Sequence, residues 1–538
     1  MVAEQRYAAE VGVQILREGG NAVDAAVAVA YALAVVDPCC GNIGGGGFML
    51  VRTRDGRERF IDFRERAPLR ATPRMFLDRR GNAVAGASTK GYLSVGVPGT
   101  VMGLERAREA FGTMSRVRLL SPAIELAAHG YRLDSGDAAI FAAAARAAKS
   151  PYTFAGQRNV RAIFMRNGRL PAAGDLLMQP QLAATLRTIS RDGEAAFYRG
   201  PIARAVVRAS RANGGILTLQ DFAGYSIEER RPLHCSYRGY DIASAPPPSS
   251  GGVTLCEILN VTSRYPLGSW GWNSARSAHY TAEAARRAFS DRNAYLGDPD
   301  FVRNPVAQLL SAGHAAKLRS TIAADRATPT VDVHPALEPP AHEHAQTTHF
   351  SIVDRDGDAV ALTYTINDWF GADVIARNTG FFLNDEMDDF TTNPGRPNMY
   401  GLVQGTPNAI EPQKRPLSSM APTIVTRAGK LFMVTGSPGG PRIITIVLST
   451  LQNVIDYGMN VQGAVDAPRF HMQGLPDELQ YERNAFSADA ARTLRAMGYA
   501  LHGLSDWGSA EAIVVDPRTG VRFGGTDRRR SSGLAAGY

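Results

Sequence analysis

Apolar residues in this chain follow two patterns, one helical and one extended. The opening stretch MVAEQRYAAEVGVQILREGG reads as an ordered helix. Asn21, after Gly19 and Gly20, is placed to cap a second helix that runs through small residues to Val36. Small apolar side chains on every face predict a helix packed inside the molecule. The glycine run in GNIGGGGFMLVR then gives way to an apolar strand, and ERFIDFRERAP reads as a strand ending in charges. From about Ser115 to Gln220 the chain reads as helical, with Ala-rich segments around Ala138 to Ala148 and Gln181 to Ser190. SAPPPSSGGVTL, Ser244 to Leu255, predicts a loop feeding a helix capped by Ser249 or Ser250, and another helix is expected from Ala278 to Phe289.

The pattern breaks from Ala323 to Gln346, which reads as an exposed, mobile loop. The clearest strand signal follows at once. TTHFSIVD and AVALTYTIND flank RDGD, and Asp356-Gly357 is a strong hairpin signal. A three-residue loop, Arg355-Asp356-Gly357 with the glycine left-handed, pairs Thr347 with Thr365. A two-residue loop pairs Thr347 with Ile366 and turns Thr365 to the other face.

Thr347 therefore heads a strand just after a loop. Its hydroxyl is a weak nucleophile that needs a base. A free α-amine on the same residue supplies one, with an unperturbed pKa of about 7.7–8.0. Freeing that amine requires cutting Gln346–Thr347, which the hydroxyl itself does by attacking the Gln346 carbonyl to give an ester that water hydrolyses. The bland alternative is that threonine simply favours strands.

Composition narrows the class. The chain has 538 residues, 44% hydrophobic and 20% charged, compatible with one large layered α/β unit. The net charge is +8. Its basic clusters (Arg230 and Arg231; Arg528 to Arg530) are short and lack interleaved aromatics. A solvated basic face fits better than nucleic-acid binding, and the mild positive field favours anionic substrates. The longest uncharged apolar run, Ala25 to Val36, is too short to span a bilayer, which needs about 20 residues. No CxxC pair occurs among the four cysteines, so no zinc knuckle is expected, and adjacent Cys39 and Cys40 are not expected to bond each other. GNIGGGG lacks both phosphate-loop spacings and reads as a close-packed glycine turn. His342, Glu343 and His344, with His349 nearby, sit on no HExxH helix, and no metal site is expected there.

TTHFSIVDRDGDAVALTYTINDWFG resembles the signature of the γ-glutamyltranspeptidases, which are N-terminal-nucleophile hydrolases. The resemblance continues through NDEMDDF, PNMYGLVQG, KRPLSSMAPTIV, TGSPGGPRIIT, APRFHMQGLPDEL and the closing LAAGY, and at the other end through GGNAVDAAVAVAYALAVVDPCCGNIGGGGFMLVR and IDFRERAP. It implies an αββα sandwich, two antiparallel sheets between helix layers. It implies a precursor cut into a large subunit, 1–346, and a small one, 347–538, that remain one body. Thr347 is then the nucleophile, and Thr365 orients it by donating a hydrogen bond, which favours the three-residue hairpin. Arg64 clamps the α-carboxylate of a γ-glutamyl group, with hydroxyl donors from Ser418 and Ser419. Asn367, Glu386 and Asp389 hold its α-ammonium. The Gly439 and Gly440 N–H groups form the oxyanion hole. Tyr400, in PGRPNMYG, closes a lid over the bound group.

The partners implied are glutathione and other γ-glutamyl compounds, amino-acid or dipeptide acceptors, and water, with no cofactor, metal or nucleic acid. The family resemblance implies a periplasmic or secreted protein, although no basic leader precedes the first helix, so that either the protein is cytosolic or the sequence lacks its leader. Two departures from the family pattern stand out: Asp358 after Gly357, where Ser or Asn is usual, and Pro441 after the glycine pair. Pro441 removes one backbone donor near the oxyanion hole but neither of the two assigned to it. The alternatives are a related acylase of the cephalosporin-acylase kind and a non-processing binding paralogue.

Overall fold

The computed structural model describes every residue except 147–156, 166–167, 334–346, 394 and 400. Tyr400, Gln346 and the His342–His344 stretch therefore lie outside the described residues.

Asn21 caps the helix Ala22–Val36 in a reciprocal box: its side chain accepts from the Val23 and Asp24 N–H groups, and the Asp24 carboxylate accepts from the Asn21 N–H. All fifteen residues of that helix are buried, as its small apolar faces predict. It packs on a seven-stranded sheet, inside which the strands Thr348–Val353, Ala359–Thr365, Gly46–Arg52 and Glu58–Asp62 lie side by side, all antiparallel. The strand Gly46–Arg52 is buried on both faces and divides between two cores. Met49 and Val51 pack with the helix Ala22–Val36, whereas Phe48 and Leu50 pack with Ile424 and Val434 of a second, six-stranded sheet. Beyond that sheet lie the helices Gly251–Thr262, Ala275–Tyr295 and Arg442–Ile455. The order helix, sheet, sheet, helix is the expected αββα sandwich.

The hairpin takes the three-residue register. Val353 pairs with Ala359 and Thr348 with Tyr364, so the next pair outward is Thr347 opposite Thr365. Asp354 builds the turn by accepting N–H groups from Asp356, Gly357 and Asp358, and Gly357 is left-handed at φ 94°.

The glycine run is the close-packed turn expected. A Cβ on Gly45 would lie 1.8 Å from the Thr365 carbonyl oxygen, so only glycine lets the two backbones pass. Gly45→Ala is expected to push Thr365 away from Thr347. Donor turnover should fall at least ~100-fold, the scale of an ångström's misplacement near the chemistry. Steady-state kinetics on the purified variant reads this directly.

Two expectations need correcting and a third is refined. Cys39 and Cys40 are bonded to each other, as are Cys235 and Cys256. The turn in which the Cys40 N–H donates to Asp37 O brings the adjacent sulfurs together, although their Cα atoms, 3.8 Å apart, are closer than those of ordinary bridged pairs. The stretch after Ala323 is not wholly exposed: Thr330, 1% exposed, donates its hydroxyl to Gly474 O and its N–H to Asp477 Oδ2. Its helix, Thr330–Val333, is too short to carry a periodic signal. The expected cap divides between the two serines: Ser250 holds the N-cap position of the helix Gly251–Thr262 but donates its hydroxyl to Ser418 O, whereas the Ser249 hydroxyl accepts the Gly251 N–H at 3.1 Å.

Candidate active site

The open end of the hairpin, the acidic loop, the serine pair and the glycine pair come from distant parts of the chain and meet in one cleft. Its lining includes Thr347, Thr365, Asn367, Arg64, Glu386, Asp389, Ser418, Ser419 and Gly440, together with apolar Leu402, Met420 and Ile443. Every described residue singled out from the sequence is there or, for Gly439, adjacent to one that is.

Thr347 is 4% exposed and Thr365 3%. Their hydroxyl oxygens lie 3.3 Å apart, with Thr347 donating, the reverse of the expected direction. Thr365 Oγ1 also accepts the Asn367 N–H at 2.8 Å, which ties the strand end to the start of the following loop. Asn367 has φ 78°, a left-handed turn that asparagine tolerates.

Arg64 is fully buried, not the surface residue its charge suggests in isolation. Its Nη1 donates to Glu386, its Nη2 to Asp389 and its Nε to Pro416 O. Glu65, 3.4 Å away, is a third acid around the same guanidinium and was not singled out from the sequence, although it is the next residue in the chain. Burial works against the Arg64 charge, but Glu386, Asp389 and Glu65 outweigh it and hold the guanidinium protonated. Burial drives Glu386 well above the usual carboxylate range, with Arg64 pulling back, and lifts Glu65 to about 7. Among the described residues, Glu386 Oε2 and Glu65 Oε1 are buried and meet no hydrogen-bond partner. The floor of the cleft thus holds one guanidinium among three acids, with two acid oxygens left over.

The serine pair is oriented for donation. Ser418 Oγ accepts from Met420 N–H at 3.0 Å, and Ser419 Oγ accepts from an arginine at 3.1 Å. With these acceptor positions taken, each hydroxyl keeps its proton for another partner. Gly439 and Gly440 have φ 136° and 55°, and among the described residues neither N–H meets an acceptor. They precede the helix Arg442–Ile455, whose positive end adds to the field there. Pro441 takes its N-cap position, where a missing N–H costs nothing. Asp358 accepts the Arg54 N–H and leaves the hairpin intact.

His349, two residues from Thr347, is no ligand. It is fully buried, with Nδ1 2.8 Å from Thr363 Oγ1 and Nε2 3.1 Å from Ser351 Oγ, and burial lowers its pKa to about 3. Its folded value lies below the unfolded one of about 6.5, so the unfolded chain binds more protons between those limits. This histidine's contribution to stability is lost as the pH falls from about 6.5 toward 3. The stability gap between the wild type and His349→Gln, which lacks the titration, should therefore narrow by about 2 to 3 kcal/mol between about pH 7 and about pH 4.5. Urea unfolding at both pH values measures it.

A threonine at the head of an inner strand, in a sandwich of two antiparallel sheets and facing a polar cleft, defines the arrangement of an N-terminal-nucleophile hydrolase. The family profile for gamma-glutamyltranspeptidase matches residues 8–537. The chain is 52% identical to a glutathione hydrolase proenzyme of Pseudomonas sp. (strain A14), over 100% of this chain and 94% of that one. It is 45% identical to the glutathione hydrolase proenzyme of Escherichia coli (strain K12), over 99% and 90%. Among solved structures it is similar to a cephalosporin acylase from Bacillus halodurans, with TM-score 0.88 and 28% identity over 100% of this chain and 95% of that one. The chain belongs to the γ-glutamyltranspeptidase family and is an enzyme.

Proposed function

We propose that this enzyme is a γ-glutamyltransferase and glutathione hydrolase that matures by cutting its own chain. Thr347 attacks the Gln346 carbonyl, and water hydrolyses the ester, freeing the Thr347 α-amine. Residues 1–346 and 347–538 then stay together as large and small subunits of one αββα body. In turnover the amine takes the hydroxyl proton as Thr347 Oγ1 bonds to the γ-carbonyl of the donor. The Gly439 and Gly440 N–H groups stabilise the oxyanion. The C–N bond breaks, the proton passes to the leaving amine, and a γ-glutamyl ester remains on Thr347. Water or an acceptor amine then takes the acyl group.

The observation that carries this reading is the cluster of opposite charges beside Thr347. Arg64 now pairs with both Glu386 and Asp389. A γ-glutamyl group brings its own carboxylate and ammonium, and so replaces one set of ion pairs with two. The carboxylate takes the Arg64 fork and the Ser418 and Ser419 hydroxyls. The ammonium takes Glu386, Asp389 and Asn367. No cofactor or metal enters this chemistry.

The cephalosporin-acylase likeness supports a second reading, an acyl group without the α-ammonium, for which Glu386 and Asp389 serve no purpose. Glutathione, γ-glutamyl-p-nitroanilide and glutaryl-p-nitroanilide separate the two. The γ-glutamyl donors should be preferred at least ~100-fold, about the worth of two charge-assisted hydrogen bonds. A preference for the glutaryl compound would favour the acylase reading. The Cys235–Cys256 bridge supports an oxidising compartment, periplasmic or extracellular. Among the described residues no helix is long and apolar enough to cross a membrane.

A further inference from the structure

Behind the serine pair lies a second buried guanidinium. Arg292, near the end of the helix Ala275–Tyr295, is 1% exposed. Among the described residues it forms no ion pair, since all three of its nitrogens donate to neutral oxygens. Nη2 donates to Ser419 Oγ at 3.1 Å, Nε to Ser250 Oγ at 2.9 Å and Nη1 to Asn293 Oδ1 at 2.7 Å. Ser250 in turn donates its hydroxyl at 2.6 Å and its N–H at 2.8 Å to Ser418 O. One guanidinium thus fixes the side chain of Ser419 directly and the backbone of Ser418 through Ser250.

The chemistry of these groups gives the arrangement a direction. A guanidinium has donors only. A serine oxygen that accepts from it must point its own proton elsewhere, and for Ser419, which lines the cleft, that leaves the cleft. A buried cation without a carboxylate partner is also costly to maintain unless an anion comes near it. Burial pushes the Arg292 pKa down to about 10, with Asp389 pulling it back, so it stays charged at neutral pH.

We propose that Arg292 is a positioning residue for the donor's α-carboxylate: it holds the Ser419 hydroxyl with its proton turned to the cleft, fixes the Ser418 backbone through Ser250, and sets a fixed positive charge behind the pair. This rests on the reading of the cleft as a γ-glutamyl site. Arg64 then meets the carboxylate from one side, and the serines, backed by Arg292, meet it from the other.

The test compares two donors that differ only in that carboxylate, γ-glutamyl-p-nitroanilide and 4-aminobutyryl-p-nitroanilide. For Arg292→Met, KM for the γ-glutamyl donor should rise roughly 10- to 100-fold, the scale of hydrogen bonds to a charged group, with kcat within about threefold. kcat/KM for the 4-aminobutyryl donor should stay within about threefold as well. Arg292→Lys keeps the charge but not the fork, and should recover part of the loss. An equal fall with both donors, or no change with either, overturns the assignment. If the wild type handles the two donors equally, the γ-glutamyl reading itself has failed, and this inference falls with it. Should Arg292→Met fail to fold, Ser250→Ala removes the link to Ser418 O, and its loss should likewise be confined to the γ-glutamyl donor.

Discussion

Thr347→Ala will leave the purified chain in one piece and without donor turnover. Intact mass after incubation at neutral pH should show two fragments for the wild type, the smaller beginning at Thr347, and a single chain for the variant. In the proposed mechanism the hydroxyl is the attacking atom in both the cut and the acyl transfer, so its loss removes both. Thr347→Ser, which keeps the hydroxyl, should still cut, more slowly, because serine lacks the methyl that restricts χ1 and so points its oxygen less firmly. The environment favours a fixed rotamer: Thr347 is 4% exposed, on a strand end paired to Thr365. A folded wild type that stays uncut would leave the binding-paralogue reading in front.

Arg64→Leu will both destabilise the protein and abolish donor binding. The substitution strips Glu65, Glu386 and Asp389 of the guanidinium they share, and breaking a buried pair by removing one partner costs about 3–5 kcal/mol. Part of this is recovered when the buried acids take up protons, toward which burial already drives Glu386. Loss of the bidentate contact to the donor carboxylate should lower kcat/KM by roughly 100- to 10,000-fold. Arg64→Lys should fold better but recover little activity, because a point charge cannot bond Glu386 and Asp389 while also presenting a planar fork. Urea unfolding and donor kinetics on the two variants separate the effects. Unchanged KM in Arg64→Lys would remove Arg64 from the binding site.

Local signals made much of this site readable from the sequence. Asp356-Gly357 and the period-two pattern around it set the hairpin, and the register follows once the glycine is left-handed, as it is. Asn21 announces its helix because capping depends on neighbours only a few residues away. Meeting points between distant segments leave no such trace. Arg292 sits in a helix whose Ser277–Asn293 stretch is almost wholly buried, so it has no polar face to betray a function. Ser250 was expected as a cap and instead reaches 168 residues along the chain to Ser418. Nothing local marks Arg64 as a buried residue, since its acids come from a loop 322 and 325 residues away. The bond between Cys39 and Cys40 depends on a turn that the spacing alone does not specify.

The central claim is that the Thr347 hydroxyl becomes acylated by a γ-glutamyl donor. It is tested most directly by mixing the mature enzyme briefly with such a donor, quenching in acid and weighing the fragments. The account predicts that the fragment beginning at Thr347 gains the mass of one γ-glutamyl group, and that peptide mapping places the group on Thr347. Donor consumption with the adduct on a different side chain, Thr347 remaining free, would contradict it.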